Sequence, residues 1–142
     1  MFLGEYDHTI DDKGRLTVPA RFRAELAEGL VVTRGMDRCL LIYPIQEWYR
    51  LFERVTALPL NDRRARAIRR RLLSAASDVA PDSQGRVLIP PRLRTYASLS
   101  GDVIVAGNGT YIEVWNPQMW EGEREQVEGA NLDMEELGPL GI

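Results

Sequence analysis

The side chains with the clearest chemistry in this chain are two arginines in matching surroundings. Arg15 and Arg86 each follow a glycine, and an aspartate stands four positions before each of them, at Asp11 and Asp82. A guanidinium donates paired hydrogen bonds to the edge of guanine or to a phosphate, and a glycine beside it lets the backbone approach a duplex closely. The aspartate could orient the guanidinium or cap the turn. The pattern predicts contact with nucleic acid at two loop tips.

The two tips belong to one stretch that occurs twice. Residues 11–23 and 82–94 align at an offset of 71 residues, and their glycine, arginine, proline and two later arginines coincide. Each copy reads as an acidic turn, a Gly–Arg tip, a short apolar strand and a helical turn that begins at proline. Lys13 in the first copy corresponds to Gln84 in the second. We therefore expect unequal tips, with Lys13 adding a phosphate contact.

Four further arginines follow the tips as candidates of second rank. Arg21 and Arg23 lie behind the first tip, and Arg92 and Arg94 lie behind the second. A phosphate contact, an ion pair with a carboxylate such as Glu25, and coverage of apolar surface are all open roles for them. The residues predicted to bind or position DNA are Arg15, Arg86, Lys13, Gly14, Gly85, Asp11, Asp82, Arg21 and Arg92.

The segments around the tips predict the same order of elements in both halves. In the first half a helical turn begins at Pro19, a hairpin turns around residues 35–38, and a helix begins at Pro44. In the second half a hairpin turns at residues 108–109, an Asn-Gly pair whose two residues both tolerate positive φ. A final helix begins at Pro117. Each half is therefore predicted to have the order βαββα.

The large apolar side chains are predicted to pack rather than to bind a ligand. The helix after Pro44 has one apolar stripe at helical spacing. Cys39 lies in an apolar strand and is predicted to be a small buried hydrophobe. The aromatic and stripe residues concerned are Tyr43, Trp48, Leu51, Phe52, Val55, Trp115 and Trp120.

Repetition and composition divide the chain into four parts. Residues 1–57 form the first repeat, 58–77 an arginine-rich connecting helix, 78–128 the second repeat, and 129–142 an acidic tail predicted to be disordered. The six arginines within 63–71 are more typical of a solvated face or a subunit contact than of a DNA surface. Neither half has strands enough to bury both faces of its sheet, so exchanged hairpins are predicted to close a small barrel. The predicted fold class is α+β, mainly β, with flanking helices.

Composition argues against several classes of protein. The chain has 142 residues, of which 27% are charged and 44% apolar, as in globular domains, and no apolar run reaches the roughly 20 residues that span a bilayer. The single cysteine and single histidine provide no disulfide and no metal-ligand cluster. Phosphate-binding loops, dinucleotide-binding glycine motifs and catalytic triads are absent from the sequence. We therefore predict a cytoplasmic protein that is not an enzyme, with no cofactor and no metal.

The tandem motif resembles that of the MraZ family of bacterial transcriptional regulators. The family's Asp-x-x-x-Arg pattern is met by Asp11 with Arg15 and by Asp82 with Arg86, and the resemblance covers residues 1–128. One copy alone would indicate only the wider AbrB/SpoVT-like group of swapped-hairpin barrels. The resemblance implies a pseudosymmetric barrel assembled into an octameric or dodecameric ring. It also implies a nucleoid-associated repressor that binds tandem boxes of double-stranded DNA in the promoter of a division and cell wall gene cluster.

A different class of function competes with this interpretation. A ring-forming interaction scaffold that works through protein partners would use the same arginines for its assembly. DNA binding that weakens steeply with salt, and that is lost when Arg15 and Arg86 are both replaced by alanine, would favour the regulator. Rings that bind no DNA at low salt would favour the scaffold. The net charge of −3 is compatible with either, because only the charge of the presented face matters for DNA.

Overall fold

Strands and short helices alternate along the chain in two similar runs. The computed structural model describes residues 1–130 and 134–141. Its strands are β1 (Glu5–Ile10), β2 (Arg15–Thr17), β3 (Leu30–Arg34), β4 (Leu40–Pro44), β5 (Ser77–Val79), β6 (Arg86–Leu88), β7 (Gly101–Gly107) and β8 (Ile112–Trp115). Its helices are α1 (Arg23–Leu26), α2 (Ile45–Thr56), α3 (Arg63–Leu72), α4 (Pro91–Ala97), α5 (Pro117–Gly129) and α6 (Met134–Leu137), with 3-10 turns at Ala20–Phe22 and Gly138–Leu140. None of these described helices is long and apolar enough to cross a membrane.

Each half contributes a hairpin that pairs with the other half. Hairpin β3–β4 lies between β5 and β8 of the second half, and hairpin β7–β8 lies between β4 and β1 of the first half. The exchange covers strand edges that either half alone would leave open. The predicted fold class, an α+β and mainly β double swapped-hairpin barrel built from two similar repeats, is confirmed by this pairing. Each repeat has the order ββαββα, with one strand more than the predicted βαββα, because the segments before and after each Gly–Arg turn both form strands.

Two equivalent turns complete the barrel. The sheet order is β5-β3-β4-β8-β7-β1-β2-β6, so β5 and β6 are its ends. They are joined by a turn in which the Asp82 N–H donates to the Arg86 carbonyl at 2.9 Å. The first half has the same bond between β1 and β2, from the Asp11 N–H to the Arg15 carbonyl at 3.0 Å. The eight strands of the described chain therefore form a nearly closed barrel with pseudo-two-fold symmetry.

Apolar side chains fill the barrel and also cover part of its outer surface. The largest fully buried side chains come from both halves and include Phe2, Leu16, Phe22, Leu26, Leu30, Leu40, Val87, Ile89, Leu93 and Ile112. A second cluster packs α2 and α3 on the outer side of the central strands, where Trp48, Val55 and Leu72 are buried. All five residues of β4 are buried, because both faces of this strand are covered. This double burial explains its uninterrupted apolar sequence.

Two local predictions differ from the structure. Phe52 is 43% exposed although it belongs to the predicted apolar stripe, whereas Val55 is buried, because the stripe is wider than the contact that α2 makes with the sheet. In the β7–β8 turn only Gly109 has a positive φ, of 84°. The Asn108 N–H donates to the Tyr111 carbonyl at 2.9 Å, so Gly109 and Thr110 lie between this bonded pair and the turn is one position later than predicted.

The predicted boundaries fall close to element ends. Segment 58–77 contains α3, and β5 begins at Ser77, the last residue of that segment. Residues 131–133 and 142 of the predicted disordered tail lie outside the described residues. Within the rest of that tail the chain forms α6 and the 3-10 turn that follows it.

Candidate nucleic-acid interface

The two predicted tips lie side by side on one two-stranded ribbon. Strands β2 and β6 pair antiparallel, with Arg15 opposite Leu88 and Thr17 opposite Arg86. Because side chains alternate along a strand, these four share one face, while the middle pair of the ribbon points into the core and is at most 1% exposed. The two arginines are diagonal neighbours, about 7–8 Å apart with their Cβ atoms somewhat closer. One surface therefore presents both guanidinium groups.

Each arginine is held by its own aspartate through the same set of bonds. Nε of Arg15 donates to Oδ2 of Asp11 at 2.7 Å, and Nε of Arg86 donates to Oδ2 of Asp82 at 2.8 Å. Oδ1 of each aspartate accepts from the backbone N–H groups two and four residues later, at 2.8–3.0 Å. The aspartate thus both closes the turn and orients the guanidinium.

These ion pairs leave the outer ends of the guanidinium groups accessible. The side chains of Arg15 and Arg86 are 34% and 28% exposed, and within the described residues neither Nη1 nor Nη2 donates to a protein acceptor. Bonds from the Arg15 backbone N–H and then from its guanidinium lower the pKa of Asp11, and the equivalent bonds lower the pKa of Asp82. Both aspartates are therefore ionised at neutral pH, and Nη1 and Nη2 of the arginine paired with each remain available as donors.

Both tip glycines adopt a backbone conformation that other residues rarely adopt. The φ of Gly14 is 86° and that of Gly85 is 74°, in the left-handed region. A Cβ added to Gly14 would lie 2.7 Å from Cζ of Arg94, and one added to Gly85 would lie 2.6 Å from Nε of Arg23. The glycines thus admit both the turn and a closely packed arginine from the other repeat.

Of the four arginines behind the tips, Arg23 and Arg94 reach the turns. Each donates from Nε to the carbonyl five residues earlier, at 3.1 Å. Arg21 lies exposed in its 3-10 turn and Arg92 lies exposed in α4, and neither has a hydrogen bond to a described residue. The sequence pattern places Arg21 and Arg92 with the tips. In the structure the side chains that point back towards the ribbon are those of Arg23 and Arg94, two positions after them, because side chains of a helical turn lean towards its N-terminus.

The sequence does not predict that one apolar residue of the ribbon, Leu88, is exposed. Leu88 is 55% exposed, whereas Val87 and Ile89 on either side of it are fully buried. Three consecutive apolar residues predict burial of all three, and only the pairing of β6 decides which of them faces outward. The counterpart of Leu88 in the first copy is Thr17. A leucine beside guanidinium groups suits contact with the C5-methyl group of thymine.

The arginines of α3 contact their own surroundings and not the ribbon. Asp62 caps this helix by accepting from the Arg64 N–H at 2.8 Å. Four of the arginine side chains donate to neighbouring oxygens, Arg64 to the Asp62 carboxylate, Arg66 to the Leu60 carbonyl, Arg69 to the Thr56 carbonyl and Arg71 to the Tyr96 hydroxyl. Within the described residues no ion pair joins α3 to the acidic side chains of α5.

A buried cysteine and a half-buried glutamate lie outside this interface. Sγ of Cys39 donates to Oε2 of Glu113 at 3.6 Å, and Nε1 of Trp115 donates to Oε1 of Glu113 at 3.3 Å. Burial raises the pKa of the Cys39 thiol and of the Glu113 carboxyl. Cys39 is 1% exposed, as the sequence predicts. Across residues 1–130 and 134–141, no group of three or more His, Cys, Asp or Glu residues is placed to hold a metal ion.

Comparison with known proteins places this architecture in a family. The model of the MraZ protein family, whose description adds "antitoxin-like", matches residues 1–71 and 72–136. A relative from Herpetosiphon aurantiacus is 50% identical over 121 residues, 85% of each chain. One from Kineococcus radiotolerans is 50% identical over 136 residues, 96% of this chain and 95% of its own. One from Roseiflexus castenholzii is 45% identical over 141 residues, 99% of both. All three are named transcriptional regulator MraZ, and this chain belongs to the MraZ family.

Proposed function

We propose that this chain is a sequence-specific DNA-binding regulator of transcription that presents the β2–β6 ribbon to the major groove. The observation that supports it is the single ribbon face on which Arg15 and Arg86 are both fixed at Nε and open at Nη1 and Nη2. A two-stranded ribbon fits the major groove of B-DNA, and arginine is the side chain that most often recognises guanine there. The names of the relatives support the same class of function.

The same proposal includes repression at tandem boxes in the promoter of a division and cell wall gene cluster, by an octameric or dodecameric ring in the cytoplasm that associates with the nucleoid. One ribbon offers few base contacts, so several subunits on several boxes are needed for high effective affinity. Tyr49, Phe52 and Leu60 are 59%, 43% and 65% exposed, and they supply apolar surface for contacts between subunits.

Binding to DNA upstream of the protein's own gene tests this proposal. We expect footprints over repeated boxes and an affinity that falls steeply as salt increases. Replacing both Arg15 and Arg86 with alanine should abolish specific binding. The matched control is Arg63→Ala with Arg70→Ala, which removes two exposed positive charges from α3 and should keep specific binding. A double tip variant that binds its boxes as tightly as the wild type would refute the assignment of these arginines.

A ring-forming interaction scaffold is the second candidate function. The exposed Tyr49, Phe52 and Leu60 favour it, because they provide apolar surface for assembly without any role in DNA binding. Light scattering combined with DNA titration at low salt separates the two functions. Rings that bind no DNA would establish the scaffold. A 16.1 kDa monomer at every micromolar concentration would remove both the ring and the multivalent mechanism.

A further inference from the structure

We infer that Arg23 and Arg94 are positioning residues, each of which braces the Gly–Arg turn of the opposite repeat. Arg23 belongs to the first repeat and packs against Gly85 of the second, and Arg94 belongs to the second repeat and packs against Gly14 of the first. The two turns are thereby held as one unit. The consequence for DNA affinity rests on the proposed function, whereas the brace itself does not.

A side chain on either glycine would have to displace the guanidinium that packs against it. A Cβ on Gly85 would lie 2.6 Å from Nε, 2.7 Å from Cδ and 3.0 Å from Cζ of Arg23. A Cβ on Gly14 would lie 2.7 Å from Cζ, 2.8 Å from Nε and 3.0 Å from Nη2 of Arg94. The end of each arginine side chain therefore packs closely against the glycine of the opposite turn. Such agreement between two copies that differ in most other residues indicates a shared role.

Hydrogen bonds connect each arginine to the turn that it packs against. Nε of Arg23 donates to the Val18 carbonyl at 3.1 Å, and the Val18 N–H donates to the Gly85 carbonyl at 3.4 Å. The contacts thus form a closed triangle: Arg23 bonds to Val18, Val18 bonds to Gly85, and Gly85 packs against Arg23.

The second repeat makes the same set of contacts. Nε of Arg94 donates to the Ile89 carbonyl at 3.1 Å, and the Ile89 N–H donates to the Gly14 carbonyl at 2.8 Å. Each turn is therefore fixed on one side by its own aspartate and on the other by an arginine from the opposite repeat.

This arrangement affects recognition because Arg86 follows Gly85 directly and Arg15 follows Gly14. A turn that moves changes the direction of its guanidinium, and ordering it on binding costs affinity. We expect Arg23→Ala to weaken DNA binding about five-fold, which corresponds to loss of about one hydrogen-bonded contact.

Hydrogen exchange in the full-length protein tests the brace without DNA. Arg23→Lys should speed amide exchange in the turn 83–86 and at Val18 several-fold, while the turn 12–15 keeps its wild-type rate. Arg94→Lys should do the reverse. Arg21→Lys is the matched control and should change neither turn. Unchanged exchange in the opposite turn, or faster exchange only in the turn of the same repeat, would overturn the inference.

A double-mutant cycle adds a second measurement that does not depend on DNA. Gly85→Ala carries the strain of a positive φ in every background, but the clash with Arg23 exists only while that side chain is present. Gly85→Ala should therefore cost more stability in the wild type than in Arg23→Ala, as measured by urea denaturation. Additive effects would contradict close packing between the two residues.

DNA binding then distinguishes positioning from direct phosphate contact. If Arg23 positions the turn, Arg23→Lys weakens binding as much as alanine does, and the slope of log affinity against log salt is unchanged. If Arg23 binds phosphate, lysine restores binding and alanine lowers that slope by about one, which would overturn the inference. Wild-type protein that binds no DNA would refute the proposed function. The hydrogen-exchange measurements would then still test whether the two arginines brace the turns.

Discussion

Single residues determine how charge is presented on the ribbon. Asp11 and Asp82 use one carboxylate oxygen for the turn and the other for the guanidinium. The bonds that lower their pKa from the usual 3.8 also stabilise the folded state. That stabilisation is fully present above pH 3.8 and is lost as the pH falls through the lowered values. The carboxylate bonds of both tips are therefore fully formed at neutral pH and weaken only in acid.

Replacing both Asp11 and Asp82 with asparagine separates these two roles. Asparagine retains an oxygen for the turn but loses the charge that orients the guanidinium, so we expect DNA affinity to fall about two- to five-fold, as is typical of partly exposed ion pairs. Fluorescence anisotropy measures the affinity, and thermal unfolding should show a small loss of stability because the charged form is what the turn bonds stabilise. Asp12→Asn removes a charge from the same turn without an ion pair, and an equal loss there would contradict the orienting role.

The exposed Leu88 gives the two copies different chemistry on the ribbon. Replacing it with threonine, its counterpart in the first copy, should leave the fold intact because the side chain is 55% exposed. If Leu88 contacts a thymine methyl group, the smaller threonine weakens that contact, and discrimination at one base pair of each box falls by less than the roughly 1–3 kcal/mol of a good bidentate pair. Selection of binding sites from a randomised library measures this preference. An unchanged preference at every position would exclude Leu88 from base recognition.

The half-buried Glu113 predicts a pH dependence of stability opposite in sign to that of the two tip aspartates. Burial raises its pKa above the usual 4.5, and Asp37 and Glu123 add to the effect. Its ionisation therefore costs stability as the pH rises from 4.5 through the folded pKa. Glu113→Gln should gain stability relative to the wild type across that window, as measured by urea denaturation at a series of pH values. The exposed Glu121→Gln should not, and a gain independent of pH would refute the account.

Helix α5 is attached to the barrel by few but specific contacts. Helix α5 buries none of its side chains fully. Nε1 of Trp120 donates to Oε2 of Glu5 at 3.0 Å, and Nη2 of Arg124 donates to both carboxylate oxygens of Glu5 at 2.7 and 2.8 Å. The position of α5 therefore depends on these polar contacts, on the packing of Trp120 against Trp115 and on its N-cap.

The N-cap of α5 is also a tie between two helices. Oδ1 of Asn116 accepts from the N–H groups of Gln118 and Met119, while Nδ2 donates to the Ser98 carbonyl at the end of α4. We expect Asn116→Ala to lower the free energy of unfolding by about 1–2 kcal/mol. Asp62→Ala at the N-cap of α3 is the matched control and should cost less, because Asp62 joins no second element. Equal losses in urea denaturation would show that the tie to α4 adds nothing.

At the scale of the whole molecule, exchange of hairpins makes the two halves interdependent. Hairpin β3–β4 finds both of its neighbouring strands in the second half, and β2 pairs with β6. The β2–β6 ribbon is therefore a product of both halves, and neither half can build it alone.

Separated halves test this dependence. Fragments 1–76 and 77–142 each retain their own strands but lose the partner strands of their hairpins, so we expect neither to form the barrel as a monomer. An equimolar mixture should recover the strand signal in circular dichroism together with DNA binding. A fragment that unfolds cooperatively as a monomer would show that one repeat is sufficient to form a stable core.

Sequence by itself determined the repeat, the order of the elements and the residues that carry charge. These features are local, because turn glycines, prolines at helix starts and a carboxylate four positions before a guanidinium act over a few residues. Asp11 with Arg15 and Asp82 with Arg86 could therefore be identified and their turn contacts anticipated.

Only the tertiary structure decided how these local pieces meet. Pairing of β2 with β6 places both tips on one face, exposes Leu88 and buries Val87, and no local pattern encodes that register. The contacts of Arg23 with Gly85 and of Arg94 with Gly14 join residues of different repeats, so they appear only when the hairpins are exchanged. Burial and cross-strand contacts depend on residues that are distant in the sequence. For this reason local patterns predicted the turns and elements, whereas only the folded structure determined how they meet.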